Sequence, residues 1–141
     1  MKLFLDTDIL VDMAIDRRPF AEAAGKLLDV VQSSHETRIA AYMSWCSFLE
    51  FSQQATPLVG QAKTAEFLTE LTGFVKIAHP KAPHLAAALA FNLPEFRATL
   101  QTAAAIACGA ELIVTSNTNQ FSGVRIPVKA PSALLTDREA A

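Results

Sequence analysis

The stretch Lys2-Leu3-Phe4-Leu5-Asp6-Thr7-Asp8-Ile9-Leu10-Val11-Asp12 changes its hydrophobic period in mid-course. Residues 2 to 5 form a short apolar run without polar alternation, the pattern of a strand covered on both faces. Ile9, Leu10, Met13 and Ala14 then recur at helical spacing. A buried strand that passes straight into a helix, with a carboxylate at the junction, predicts a parallel α/β sheet. Ligand sites in such sheets lie beyond the carboxyl ends of the strands.

The rest of the chain repeats this alternation. Pro19 is placed to start a second helix with Phe20, Ala23, Ala24, Leu27, Leu28 and Val31 as its core stripe. Thr37 to Tyr42 reads as a second strand, and Ser44 as the N-cap of a helix carrying Phe48, Leu49 and Phe51. Thr56-Pro57 is expected to break that helix, and another covers 60 to 72 with Gly73 as its C-terminal cap. Phe74 to Ala78 is the third strand. A short alanine-rich helix spans 83 to 91, and Pro94 opens a helix running to Gly109. Glu111 to Thr115 is the most strand-like segment, and Val124 to Val128, with its Pro127, reads as an edge strand. Strands separated by helices predict one α/β domain over 1–141, with a mostly parallel sheet of four or five strands covered on both faces.

Three junctions therefore carry the candidate chemistry. Asp6 offers hard oxygen ligands suited to Mg²⁺ or Mn²⁺, or else caps the following helix. Asp12 and Asp16 read as helix-surface charges. Glu50, among Phe48, Leu49 and Phe51, is either held in a site by a partner or turned to the polar face with Gln53 and Gln54. Glu95 stands where the dipole of a helix start favours an acid. Thr115-Ser116-Asn117-Thr118-Asn119 is a cluster of short polar side chains that suits a metal-bound water, a phosphate or a plain turn.

Bulk composition narrows the field. The 141 residues are 51% hydrophobic with a mean hydropathy of +0.26, enough for a core. No run reaches the roughly 20 apolar residues of a membrane span, and the start lacks signal-peptide character, so a cytoplasmic protein is expected. Cys46 and Cys108, without CxxC or histidine spacing, predict neither zinc nor a disulfide framework. A net charge of −2 leaves any nucleic-acid contact to a local patch or a bound metal.

In order and spacing, these segments resemble the PIN-domain family, particularly its bacterial VapC-like branch. Leu3-Phe4-Leu5-Asp6-Thr7-Asp8-Ile9-Leu10-Val11-Asp12 is similar to the family's strand-Asp-Thr-Asn-Val-Leu-Leu-Asp opening, with Asp8 for Asn. Arg17-Arg18-Pro19, Ser44-Trp45-Cys46-Ser47-Phe48-Leu49-Glu50, and Gly109-Ala110-Glu111-Leu112-Ile113-Val114-Thr115-Ser116-Asn117 on to Phe121 match further stretches. The resemblance implies a PIN-like three-layer α/β/α sandwich. It also implies a metal-dependent endoribonuclease in which clustered acids bind Mg²⁺ or Mn²⁺ and a metal-activated water attacks the RNA phosphodiester. Carried over residue by residue, Asp6, Glu50 and Glu95 become catalytic acids, joined by Asn117 as metal ligands. RNA, a small antitoxin protein and a second copy in a homodimer become the implied partners. The chain departs from the pattern at Ala98 and Gln120, two positions usually acidic.

That depletion supports an alternative, a catalytically impaired PIN domain that binds RNA or a protein partner. A third reading comes from Asp6-x-Asp8 after four apolar residues, which also resembles haloacid-dehalogenase-like phosphatases with Asp6 as nucleophile. Those need a lysine and a later acidic pair, and only Asp137 and Glu139 follow Asn117.

Overall fold

The computed structural model describes residues 1–15, 20–33 and 38–140. Five strands form one sheet in the order β3-β2-β1-β4-β5, with every pairing parallel. They are β1 (Lys2–Leu5), β2 (Ala40–Met43), β3 (Val75–Ile77), β4 (Leu112–Val114) and β5 (Val128–Lys129). The helices are α1 (Thr7–Ala14), α2 (Phe20–Gln32), α3 (Trp45–Val59), α4 (Gln61–Leu71), α5 (Ala82–Leu89), α6 (Phe96–Ala107) and α7 (Pro131–Ala140), with a 3₁₀ turn at Thr118–Phe121.

Strand β1 shows why the sheet needs two covering layers. Leu3 and Leu5 enter one core with Ile9, Leu27, Phe51, Leu71 and Leu134, so α1 to α4 and α7 cover that face. Phe4, between them, enters a second core with Ala98, Ala104, Ile113 and Phe121, so α6 and the 3₁₀ turn cover the other. This is the three-layer α/β/α sandwich expected from the strand–helix alternation.

Strand β1 is central, with β2 on one side and β4 on the other. The chain runs outward from β1 to β3, then returns to build β4 and β5 on the opposite side. Strand order therefore reverses at β1, and the crevice above its carboxyl end is where a ligand is accommodated.

Several local expectations need correction. Helix α3 passes through Thr56-Pro57 and ends at Gly60, because a proline in its last turns removes one donor without stopping the helix. The second strand starts at Ala40; Thr37 lies outside the described residues, as do Asp16 to Pro19. The last strand is only Val128–Lys129, on the sheet edge. Helix α7 adds to the expected elements: Pro131 opens it, and Leu134 buries against the larger core.

Candidate functional site

Asp6 is the first residue after β1 and the N-cap of α1, its Oδ1 accepting from the Thr7 backbone N–H at 2.8 Å. Its backbone N–H is tied to the Val114 carbonyl at 2.9 Å, which fixes it between β1 and β4. The carboxylate is fully buried. A charge so placed needs partners, and the surrounding elements supply them. Oδ1 also accepts from Gln101 Nε2 at 2.9 Å and Arg97 Nη2 at 2.7 Å. Oδ2 has Thr115 Oγ1 at 3.0 Å, Gln120 Nε2 at 3.2 Å and Arg97 Nη1 at 3.4 Å.

Glu50 comes to the same place from α3, the neighbour of α1 in the same layer. Ser44 caps α3 by accepting from the Ser47 N–H at 3.1 Å, which starts the helix at the end of β2 and carries Glu50 over β1. Its Oε1 accepts from the Thr7 hydroxyl at 2.7 Å and its Oε2 from Arg97 Nε at 2.6 Å. Beneath them lies a buried amide: Gln101 donates to Asp6 and to Ser47 Oγ, the latter at 2.8 Å, while its carbonyl accepts from Ser44.

Arg97 therefore bridges the two acids from the first turn of α6. Its fork is used on every side, with Nη1 also donating to Gln120 Oε1 at 2.8 Å. Burial opposes the guanidinium charge, yet the contacts with Asp6 and Glu50 outweigh it and hold the pKa above the ordinary arginine value.

A second acid pair lies along α1. Asp8 Oδ2 accepts from the Ser116 N–H at 2.8 Å and has Thr115 Oγ1 at 3.0 Å. Burial, then the charges of Asp6 and Asp12, push the Asp8 carboxyl up to about 6 against the bonds from Thr115 and Ser116. Thr115 stands 3.0 Å from both Asp6 and Asp8, but its hydroxyl has one proton to give. Asp12, expected on the helix surface, is fully buried and accepts from Ser116 Oγ at 2.8 Å. Four residues separate it from Asp8, so both face the β4 turn.

The four residues named from sequence all line one cleft of about 330 Å³, with Asp6 and Glu50 in contact with Arg97, and Glu95 and Asn117 on its walls. Glu95 is exposed and is the N-cap of α6, without a side-chain capping bond. Ala98 points away, fully buried in the second core beside Phe4 and Phe121. Arg97, Gln101 and Thr7 were not legible as site residues; the clue available was an arginine one residue before the missing acid.

The divalent ion implied by the resemblance does not fit this arrangement. A carboxylate offers about four lone-pair directions, and donors already fill both oxygens of Asp6. Both oxygens of Glu50 are used as well. Among the described residues, no group of three His, Cys, Asp or Glu side chains is placed to hold a metal ion. The phosphatase reading finds no support either, since Lys129, which follows Asn117, pairs with Asp137 on α7.

Solved structures share this architecture. VapBC-1 from nontypeable Haemophilus influenzae superposes with a TM-score of 0.68 at 15% identity, covering 94% of this chain and 99% of that one. VapBC2 from Rickettsia felis, bound to a DNA fragment from its promoter, gives 0.69 at 14% identity, covering 92% and 97%. VapC20 of Mycobacterium tuberculosis, described as a sarcin-ricin loop cleaving toxin, gives 0.59 at 14%, covering 79% and 86%. No curated protein sequence matches this one. The family model described as PIN domain matches residues 2–119, and the chain therefore belongs to the PIN-domain family.

Proposed function

We propose that this PIN-domain chain is the toxin-like member of a toxin–antitoxin type of pair, and that it engages a protein partner over the acid cleft without sustaining metal-dependent RNA cleavage. The observation that carries this reading is Arg97, held 2.7 Å from Asp6 and 2.6 Å from Glu50 where a metal would have to bind.

Charge decides between RNA and protein as the ligand. Among the described residues, the cleft is lined by Asp6, Asp8, Glu50 and Glu95 against the single cation Arg97. Without a divalent ion, a surface of that sign repels a phosphate backbone, whereas it attracts a basic peptide. Its surroundings are apolar. Trp45 and Leu49 on α3, and Phe96 and Leu100 on α6, are 62%, 60%, 77% and 43% exposed. Trp45 and Leu100 line a neighbouring groove of about 340 Å³ with Leu85. A segment carrying apolar anchors and basic side chains complements both features. The similarity to VapBC structures supports a small antitoxin as that partner.

A second reading is a Mg²⁺- or Mn²⁺-dependent endoribonuclease using Asp6, Glu50, Glu95 and Asn117. Their convergence on one cleft favours it, as does the similarity to VapC20, the sarcin-ricin loop cleaving toxin. Under either reading we propose a cytoplasmic protein and a homodimer, the latter measurable by light scattering. Among the described residues, no helix is long and apolar enough to cross a membrane.

The deciding experiment is cleavage of structured and single-stranded RNA with Mg²⁺ and with Mn²⁺, comparing the native chain with Asp6→Asn. No metal-dependent cleavage by either protein is expected. Cleavage by the native chain that Asp6→Asn abolishes would replace the binding reading with the nuclease one.

A further inference from the structure

We infer that the Arg97 guanidinium is the resident cation of the acid pocket, a tethered counter-ion that takes the place of a divalent ion and excludes one from Asp6 and Glu50. The inference deepens the binding reading and rests on it in placing no metal at this pair.

Asp6 and Glu50 arrive from neighbouring helices of the same layer, on the N-cap of α1 and on α3, while Arg97 reaches them from α6 in the opposite layer. Two carboxylates meeting over β1 repel unless a positive charge lies between them. Arg97 supplies it with a planar fork, Nη2 toward Asp6 and Nε toward Glu50. The fork is braced by Gln120, whose carbonyl accepts from Arg97 Nη1 and whose amide donates to Asp6 Oδ2 at 3.2 Å. An acid at that position could not make the second bond while ionised, since a carboxylate only accepts. Gln101 holds the opposite side of Asp6.

Position in the chain strengthens the assignment. Ala98 is fully buried against the second core, so α6 directs Arg97, not its neighbour, over the crevice. The Arg97 side chain is 28% exposed and that of Asp6 0%, so solvent screens this contact poorly. A divalent ion would have to displace a cation that is covalently attached and so is present at high effective concentration.

The test is Mn²⁺ uptake by the full chain, followed by electron paramagnetic resonance of the free ion, together with thermal melts in EDTA and in Mn²⁺. The native chain is expected to show no Asp6-dependent uptake below about 1 mM and no shift of its melting temperature. Arg97→Ala, with the charge gone and the pocket open, is expected to melt lower in EDTA, to recover with Mn²⁺, and to bind Mn²⁺ at least about tenfold more tightly. Adding Asp6→Asn to it should remove that uptake. Should Arg97→Ala lose its fold, Arg97→Gln, which retains an amide donor, carries the same comparison. Mn²⁺ uptake by the native chain that is lost in Asp6→Asn overturns the inference, as does a folded Arg97 variant with no gain in uptake. Native uptake without RNA cleavage would sink the inference and leave the binding reading standing. Asp6-dependent RNA cleavage would sink the reading itself.

Discussion

Asp8→Asn tests how much strain the acid cluster carries. Asp8 Oδ2 is served by Thr115 and Ser116, while the buried Oδ1 has no hydrogen-bond partner among the described residues. Its carboxyl is raised from 3.8 to about 6, first by burial and then by the Asp6 charge. The sign follows from proton counts. The native state keeps the Asp8 proton up to about pH 6, whereas the unfolded chain releases it near 3.8. Native protein therefore binds more protons within that window, and stability falls as pH rises through it. Two pKa units correspond to roughly 3 kcal/mol, borne in full above pH 6. Asparagine removes the charge but puts an amide where Oδ1 now lacks a partner, a cost of about 1–2 kcal/mol. A net gain of roughly 1–2 kcal/mol at pH 8 is expected, or about 3–8 °C in melting temperature for a chain of this size. Near pH 4 the gain should vanish, because Asp8 is then neutral in the native state. Urea and thermal unfolding at pH 4.5 and pH 8 measure it. A variant that is destabilised equally at both pH values, or that keeps the native pH slope, refutes the reasoning.

Other perturbations probe separate parts of the structure. Gln101→Leu leaves Ser44, Ser47 and Asp6 without a buried amide partner, and should cost roughly 2–4 kcal/mol in urea unfolding. Pro57→Ala restores a donor inside α3 at an exposed position, and a gain of up to about 1 kcal/mol is expected in thermal melts. Trp45→Ala should change stability by under about 1 kcal/mol, since the ring is 62% exposed and packs edge-on against Phe48. The same change should weaken capture of a co-expressed antitoxin-like partner at least about tenfold, measured by surface plasmon resonance.

The position of the site was legible because strand-to-helix junctions are local events. The apolar run before Asp6 and the serine before α3 set where Asp6 and Glu50 emerge, and a parallel sheet brings such junctions to one edge. What fills the site was not legible. Arg97 lies in a first helical turn between Phe96 and Ala98, a setting where arginine usually meets water. Only the height of α6 above β1 brings its fork to both acids. Asp12 was misread because its partner, Ser116, is 104 residues away, and helical spacing alone does not show what stands opposite. Helix α7 was not anticipated because, among its described residues, only Pro131 and Leu134 are buried. Proline was overweighted at position 57, where one lost donor near a helix end is tolerated.

The central place of β1 also sets a timetable for synthesis. Leu3 pairs with Ala41 on one side and with Leu112 on the other. A chain emerging from the ribosome can complete the first ladder early, but the opposite edge stays open until residues 112–114 have left the exit tunnel. Closure over so long a loop is slow, and an unpaired apolar edge invites pairing with another nascent chain. Folding yield should therefore depend on how quickly the second half of the message is translated, and holdase chaperones should raise it most when that half is slowed.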